Sequence, residues 1–153
     1  MILGLISDTH GLLRESAMRA MRNTGIIIHA GDVGDSKILE ALQNLAPVTA
    51  VRGNVDTGEW ATKLPPTAVV KVGAVRIYVL HDVKQLKLNS IPSDVSIVVS
   101  GHSHKPGQTT HDGIRYINPG SAGPRRFKLP ITVARLNLDR QPWEAEFIDV
   151  SQP

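Results

Sequence analysis

Five short apolar runs in this chain end in side chains that can bind a metal. The run over 2–6 leads into Ser7-Asp8-Thr9-His10-Gly11, and the run over 26–30 into Gly31-Asp32. The run over 48–52 leads into Gly53-Asn54-Val55-Asp56, and the run ending at Leu80 into His81-Asp82. The run ending at Ser100 leads into Gly101-His102-Ser103-His104. In open α/β sheets, functional groups gather outside the carboxyl ends of parallel strands. Asp8, His10, Asp32, Asn54, His81, His102 and His104 offer carboxylate, amide and imidazole donors without sulfur. That mixture suits Mn, Fe, Co, Ni or Zn better than Ca or Mg. Seven ligands are too many for one tetrahedral ion. They suffice for two if one carboxylate bridges, with positions left open for water and substrate. Ions about 3.5–4 Å apart can clamp the attacking and leaving oxygens of a phosphoryl group. Asp8 and His10 lie two apart at a strand end, where both can face one ion, and His102 and His104 repeat that spacing.

The elements that must position these groups can be read from the pattern. Strands are expected over 2–7, 26–30 and 48–52. Ala17, Met18 and Met21 at helical spacing predict a helix over 14–23, stopped by Gly25. A second helix is expected over 36–44, opened by Asp35 or Ser36 and ended before Pro47. Strand–helix alternation argues for parallel strands with crossover helices. The rest is strand-rich. Residues 67–72 and 75–80 flank Gly73-Ala74 as a hairpin. A short helical or irregular stretch over 83–91 precedes a buried strand over 96–100. Residues 108–111 and 114–117 flank Asp112-Gly113, a strong hairpin signal. Residues 131–137 and 144–150 form a further hairpin about Asp139-Arg140-Gln141-Pro142. There is no repeat, and the loop over 56–66 is too short to separate domains, so residues 1–153 read as one domain. A layered α/β fold with a mixed sheet, or two sheets face to face, fits this order.

Composition narrows the classes. Hydrophobic residues make up 41% and charged residues 20%, which is ordinary for a globular protein and excludes a disordered tail. Only 4% is aromatic, so the core must be aliphatic. The absence of cysteine excludes disulfides, thiolate zinc sites, Fe–S clusters and a Cys nucleophile. A net charge of +3 and a pI near 9.4 bias the chain mildly towards anionic partners. Few aromatics are left for stacking bases, so nucleic acid is not the expected partner. No apolar run approaches the ~20 residues that span a bilayer. The N-terminus lacks a basic segment and meets Asp8 at once, so it reads as a strand and not as a signal peptide. The expectation is a soluble cytoplasmic protein with no membrane partner.

In order along the chain stand Asp-x-His-Gly, Gly-Asp, Gly-Asn-x-Asp, a single His, Gly-His-x-His and Asn-Pro-Gly-Ser. That ordered set resembles the calcineurin-like metallophosphoesterases. Gly101-His102-Ser103-His104-Lys105-Pro106 and Asn118-Pro119-Gly120-Ser121 look most like the small bacterial and archaeal phosphodiesterase branch. The resemblance covers Leu3 to about Arg125. It implies an α/β fold, a four-layer α/β/β/α sandwich of two mixed sheets. It implies that Asp8, His10 and His104 hold one divalent transition-metal ion, that Asn54, His81 and His102 hold a second, and that Asp32 bridges them. Mn is the first candidate, with Fe, Ni, Co or Zn as alternatives. A hydroxide activated by the ions would attack phosphorus in line, with Asn54 and His102 helping to place the phosphate oxygens. The implied activity is that of a metal-dependent phosphodiesterase acting on a small phosphorylated substrate.

The chain departs from the family pattern twice. Asp82 follows His81 where Gly is usual, and could narrow the cleft or accept a hydrogen bond from an imidazole behind a ligand. Val55 follows Asn54 where some members carry a His near the leaving group; the small branch commonly lacks that His too. Other residues have plain readings beside functional ones. His29, inside a strand, reads as a hydrogen-bonded core residue or a support for a ligand. His111 reads as a solvated hairpin residue. Arg125, with Arg126 and Lys128, is either a solvated basic run or a source of substrate contacts. Trp60 either covers the cleft or plugs the core. Two other functions stay open. A protein-binding scaffold like the retromer subunit of eukaryotes would carry a degraded ligand set. A nuclease would need an extended basic groove, which +3 supports poorly. A homo-oligomer is left open.

Overall fold

The structure is a computed structural model that describes residues 1–86 and 91–152. Two five-stranded mixed sheets carry it. The first contains β1 (Ile2–Ile6), β2 (Ile26–His29), β3 (Val48–Ala50), β9 (Thr132–Asn137) and β10 (Glu146–Asp149), in the order β10-β9-β1-β2-β3. The second contains β4 (Thr67–Val72), β5 (Val75–Leu80), β6 (Ile97–Val99), β7 (Gly107–His111) and β8 (Ile114–Asn118), in the order β4-β5-β6-β8-β7. Strands β1, β2 and β3 run parallel, as do β5, β6 and β8. The three predicted hairpins are present as the antiparallel pairs β4–β5, β7–β8 and β9–β10.

Alternation along each strand builds the layers. Leu3 and Leu5 of β1 and Ile28 of β2 point into the space between the sheets, where they meet Val70, Ile77, Val79, Ile97, Val99 and Ile117 of the second sheet. Ile6, Ile27 and Val133 point the other way, onto Ala17 of α1 (Glu15–Ala20), its C-cap Met21, and Ile38 and Leu42 of α2 (Ser36–Gln43). Tyr78, Leu80 and Val98 form the outer face of the second sheet, packed with Val95, Leu86 and Ile91. Among the described residues, both α-helices lie on the first sheet, and the outer face of the second carries the 3-10 turn Val83–Gln85. The expected irregular stretch over 83–91 begins with that turn, and residues 87–90 lie outside the described residues.

Some boundaries differ from expectation for local reasons. Helix α1 spans Glu15–Ala20, shorter than 14–23. Its N-cap Arg14 makes no side-chain cap, the Thr24 hydroxyl takes the Met21 carbonyl, and Arg135 Nη1 takes the carbonyls of Ala20 and Arg22. Helix α2 starts as expected, because the Asp35 carboxylate accepts the Lys37 amide at 3.0 Å. Strand β3 stops at Ala50, since the Arg52 amide turns to the Pro65 carbonyl. Trp60 is half-buried and packs against the helix-side core, so it plugs the core and does not cover the cleft.

Candidate metal centre

The segments that follow β1, β2, β3, β5 and β6 converge on one edge of the sandwich. Backbone contacts fix the approach. The Asp8 amide donates to Gly31 O, the His10 amide to Asp32 O, and the Gly101 amide to His81 O. Gly53 and Gly101 permit the close meeting. A Cβ on Gly53 would lie 2.1 Å from Asp32 Oδ1, and one on Gly101 would lie 2.6 Å from Asp8 Oδ2. Asp8, His10, Asp32, His102 and His104 all adopt φ between 48° and 70°. Left-handed backbone at non-glycine residues is sparsely populated and gathers at functional sites.

Two donor groups result. Ligating atoms of Asp8, His10 and His104 lie within 4.8 Å of one another, and so do those of Asp32, His81 and His102. In the first group, His104 Nε2 is 3.4 Å and His10 Nε2 3.8 Å from Asp8 Oδ1. In the second, His81 Nε2 is 3.1 Å from Asp32 Oδ2 and 3.2 Å from His102 Nδ1. Asp32 Oδ2 also lies 3.6 Å from His10 Nε2, so this oxygen faces both groups. Two ligands on one ion at about 2.0–2.2 Å each sit at most about 4.4 Å apart, and these separations fall inside that limit.

The pattern of satisfied and unsatisfied atoms fits a cation. Asp8 Oδ2 accepts the Ser7 hydroxyl at 2.7 Å and the His102 amide at 3.1 Å. Asp8 Oδ1 and His10 Nε2 are buried with no hydrogen-bond partner, which is costly unless a positive ion meets them. The His81 ring donates Nδ1–H to the Ala30 carbonyl at 2.8 Å, because a carbonyl can only accept. Its Nε2 is thereby aimed at Asp32. Asp32 Oδ1 is held by the Val55 amide at 3.0 Å, which leaves Oδ2 for the space between the groups. Burial opposes ionisation of Asp8, but His10, His104, the Ser7 hydroxyl and His81 outweigh it and hold this carboxyl well below the usual range. Asp32 is likewise lowered: burial opposes, and contacts with His81 and the Val55 amide prevail. Burial works against a charged His81 ring, but Asp32, the Ala30 carbonyl and Asp8 raise its pKa. Two ionised carboxylates thus face four imidazoles, a cation-seeking arrangement.

Residues 1–141 match the model of the calcineurin-like phosphoesterase superfamily domain. The chain belongs to the calcineurin-like phosphoesterase superfamily. This calcineurin-like chain is 30% identical to a probable metallophosphoesterase of Methanothermobacter thermautotrophicus, with 100% of this chain and 95% of the relative covered. Its fold matches a structurally characterised archaeal phosphodiesterase at a TM-score of 0.81 and 21% identity, covering 97% of this chain and 100% of that one. It also matches Vps29 of Entamoeba histolytica in complex with zinc, at a TM-score of 0.75 and 21% identity, covering 99% and 100%. These last two likenesses bear on the fold.

The other singled-out residues fall as follows. Asn54 is exposed and lines a cavity of about 600 Å³ with Arg52, Tyr78, His81, Asp82 and His102. Arg125 is exposed and stands outside that lining. Arg52 is the arginine at the cavity; sequence reading passed over it, although it directly precedes Gly53-Asn54. His29 is fully buried. It accepts the Gly31 amide at Nδ1, so its proton sits on Nε2 and is donated to Thr9 Oγ1, whose own hydroxyl proton goes to Val33 O. That chain braces the turn between Asp8 and His10. Asp56, the last residue of Gly-Asn-x-Asp, accepts the amides of Val33, Gly34 and Gly53 and ties the Asp32 loop to the Asn54 loop. The Asn-Pro-Gly-Ser segment is a brace too. Asn118 Nδ2 donates to Gly101 O and Ser103 Oγ, and Ser121 Oγ donates to Asp8 O. His111 is exposed beside Asp112.

Among the described residues no helix is long and apolar enough to cross a membrane.

Proposed function

We propose that the chain is a dinuclear metal-dependent phosphodiesterase. Asp8, His10 and His104 hold one divalent ion, Asn54, His81 and His102 hold the other, and Asp32 bridges them. The observation that carries this reading is the placement of Asp32 Oδ2, 3.6 Å from His10 Nε2 and 3.1 Å from His81 Nε2, beside the unpartnered Asp8 Oδ1. Bound divalent ions would supply an activated water and a clamp on the phosphoryl oxygens. The protein's part is geometric. Ser7 and the His102 amide orient Asp8, the Val55 amide orients Asp32, and the Ala30 carbonyl sets the His81 tautomer. Asn54 and His102, both exposed at the cavity, meet the substrate phosphate. Manganese is the first metal to try, and the substrate is a small phosphorylated molecule. The intact set of seven donors favours an enzyme over a metal-free scaffold.

The test is to reconstitute the protein with manganese and screen phosphomonoesters, linear diesters, cyclic nucleotides and short nucleic acids. Metal-dependent cleavage fastest on small diesters is expected. No hydrolysis of any ester by protein loaded with two ions would overturn the reading.

A further inference from the structure

His102 is the least constrained member of the second donor group. Its side chain is 44% exposed, against 8% for His81. Its Nδ1 faces His81 Nε2 at 3.2 Å. On the opposite side of the ring, Nε2 lies 3.7 Å from Oδ2 of Asp82. An imidazole ligates through one nitrogen at a time, and the partner of the other nitrogen decides its tautomer and orientation.

We propose that Asp82 is a positioning residue for His102. Its carboxylate receives Nε2–H, which leaves the Nδ1 lone pair directed at the space shared with His81 and Asp32. This inference rests on the metal reading above.

Three features support it. Asp82 is itself fixed: it caps the turn Val83–Gln85, its Oδ1 accepts the Lys84 amide at 3.0 Å, and Oδ2 is left towards His102. Among the described residues, no other carboxylate lies within ion-pair distance of the His102 ring. The 3.7 Å gap shortens to a hydrogen bond by a small rotation of the exposed ring, for which the adjoining cavity leaves room. The charge balance points the same way. Asp8 and Asp32 neutralise half the charge of two divalent ions; a third carboxylate behind an imidazole offsets more and raises the basicity of the ligating nitrogen. His81 obtains its orientation from a neutral carbonyl; His102 obtains it from a charge.

Asp82→Asn separates this role from the turn cap, since the amide oxygen still accepts the Lys84 N–H while the charge is gone. Stepwise manganese binding to metal-free protein, followed by calorimetry and by the paramagnetic resonance of the coupled ion pair, gives two readouts independent of turnover. His81→Ala identifies the second site. Asp82→Asn is expected to weaken that site by 10–100-fold and leave the first unchanged, with Asp82→Glu recovering part of the loss. In a His102→Ala background, Asp82→Asn should have no further effect. Wild-type affinity in Asp82→Asn, or an equal loss with and without His102, would overturn the proposal. A wild-type protein that takes up one ion only would instead overturn the dinuclear reading beneath it.

Discussion

The backbone amide of Val55 donates to Oδ1 of Asp32 at 3.0 Å, so the loop after β3 aims the carboxylate that faces both donor groups. Asp32→Ala is expected to lose both ions, because each group loses an oxygen at its centre. Elemental analysis after manganese loading measures this directly. Retention of two ions per chain would remove the bridging role.

Val55 itself is 42% exposed and can neither protonate a leaving oxygen nor bind its charge. Its nearest candidates are engaged elsewhere. Asp56 is buried under three amides, and the proton of neutral His29 is committed to Thr9. A positioned acid is worth about 10²–10⁴-fold. Rates on substituted phenyl diesters should therefore depend steeply on the pKa of the departing phenol, with alkyl diesters far slower. Val55→His should flatten the plot. A shallow wild-type slope where chemistry limits the rate would reveal another acid.

Asp56 predicts a stability effect at a distance from any donor atom. Asp56→Ala leaves the buried amides of Val33 and Gly53, and that of Gly34, without their acceptor. Unsatisfied buried groups cost about 1–3 kcal/mol each and are not additive, so a loss of roughly 3–5 kcal/mol is expected in urea denaturation of the metal-free protein. Asp56→Asn should lose less, as its oxygen still accepts. A change below about 1 kcal/mol would show that water replaces the carboxylate.

His29 sets an acid limit. Burial, only partly offset by the charges of Asp8 and Asp56, depresses its pKa to about 4 from 6.5. Below 6.5 the unfolded chain takes a proton that the folded ring refuses until about pH 4. Stability is therefore lost as pH falls through that window, by about 3 kcal/mol in all. His29→Asn keeps an acceptor for Gly31 and removes the titration. Denaturation curves of the two metal-free proteins between pH 7 and 4 should converge as pH falls. Parallel losses would mean that His29 is not the group responsible.

The sequence made some of this legible and not the rest. Asp35 before an amphipathic run and Asp112-Gly113 between strands act locally, so the helix start and the hairpin were readable. The end of α1 was not, because Arg135 reaches it from β9. The donor residues were readable through type, order and strand-end position. Their partition was implied only by resemblance, and the two groups assembled by the fold contain the same Asp and His residues. Arg52 and Arg125 show the limit. Which basic side chain meets the cavity depends on where β3 breaks towards Pro65, a tertiary event with no local signature.

The left-handed backbone shared by Asp8, His10, Asp32, His102 and His104 also bears on how such a chain can drift. At these φ values β-branched residues are outliers, Asp, His and Asn are the tolerated side chains, and only Gly fits without strain. Replacement by Gly would remove the donor and relieve strain at each position, so the backbone does not oppose the loss of a ligand. For this architecture, losing the ions and keeping the fold is an easy evolutionary path, and the donor set persists only where selection acts on the bound metal.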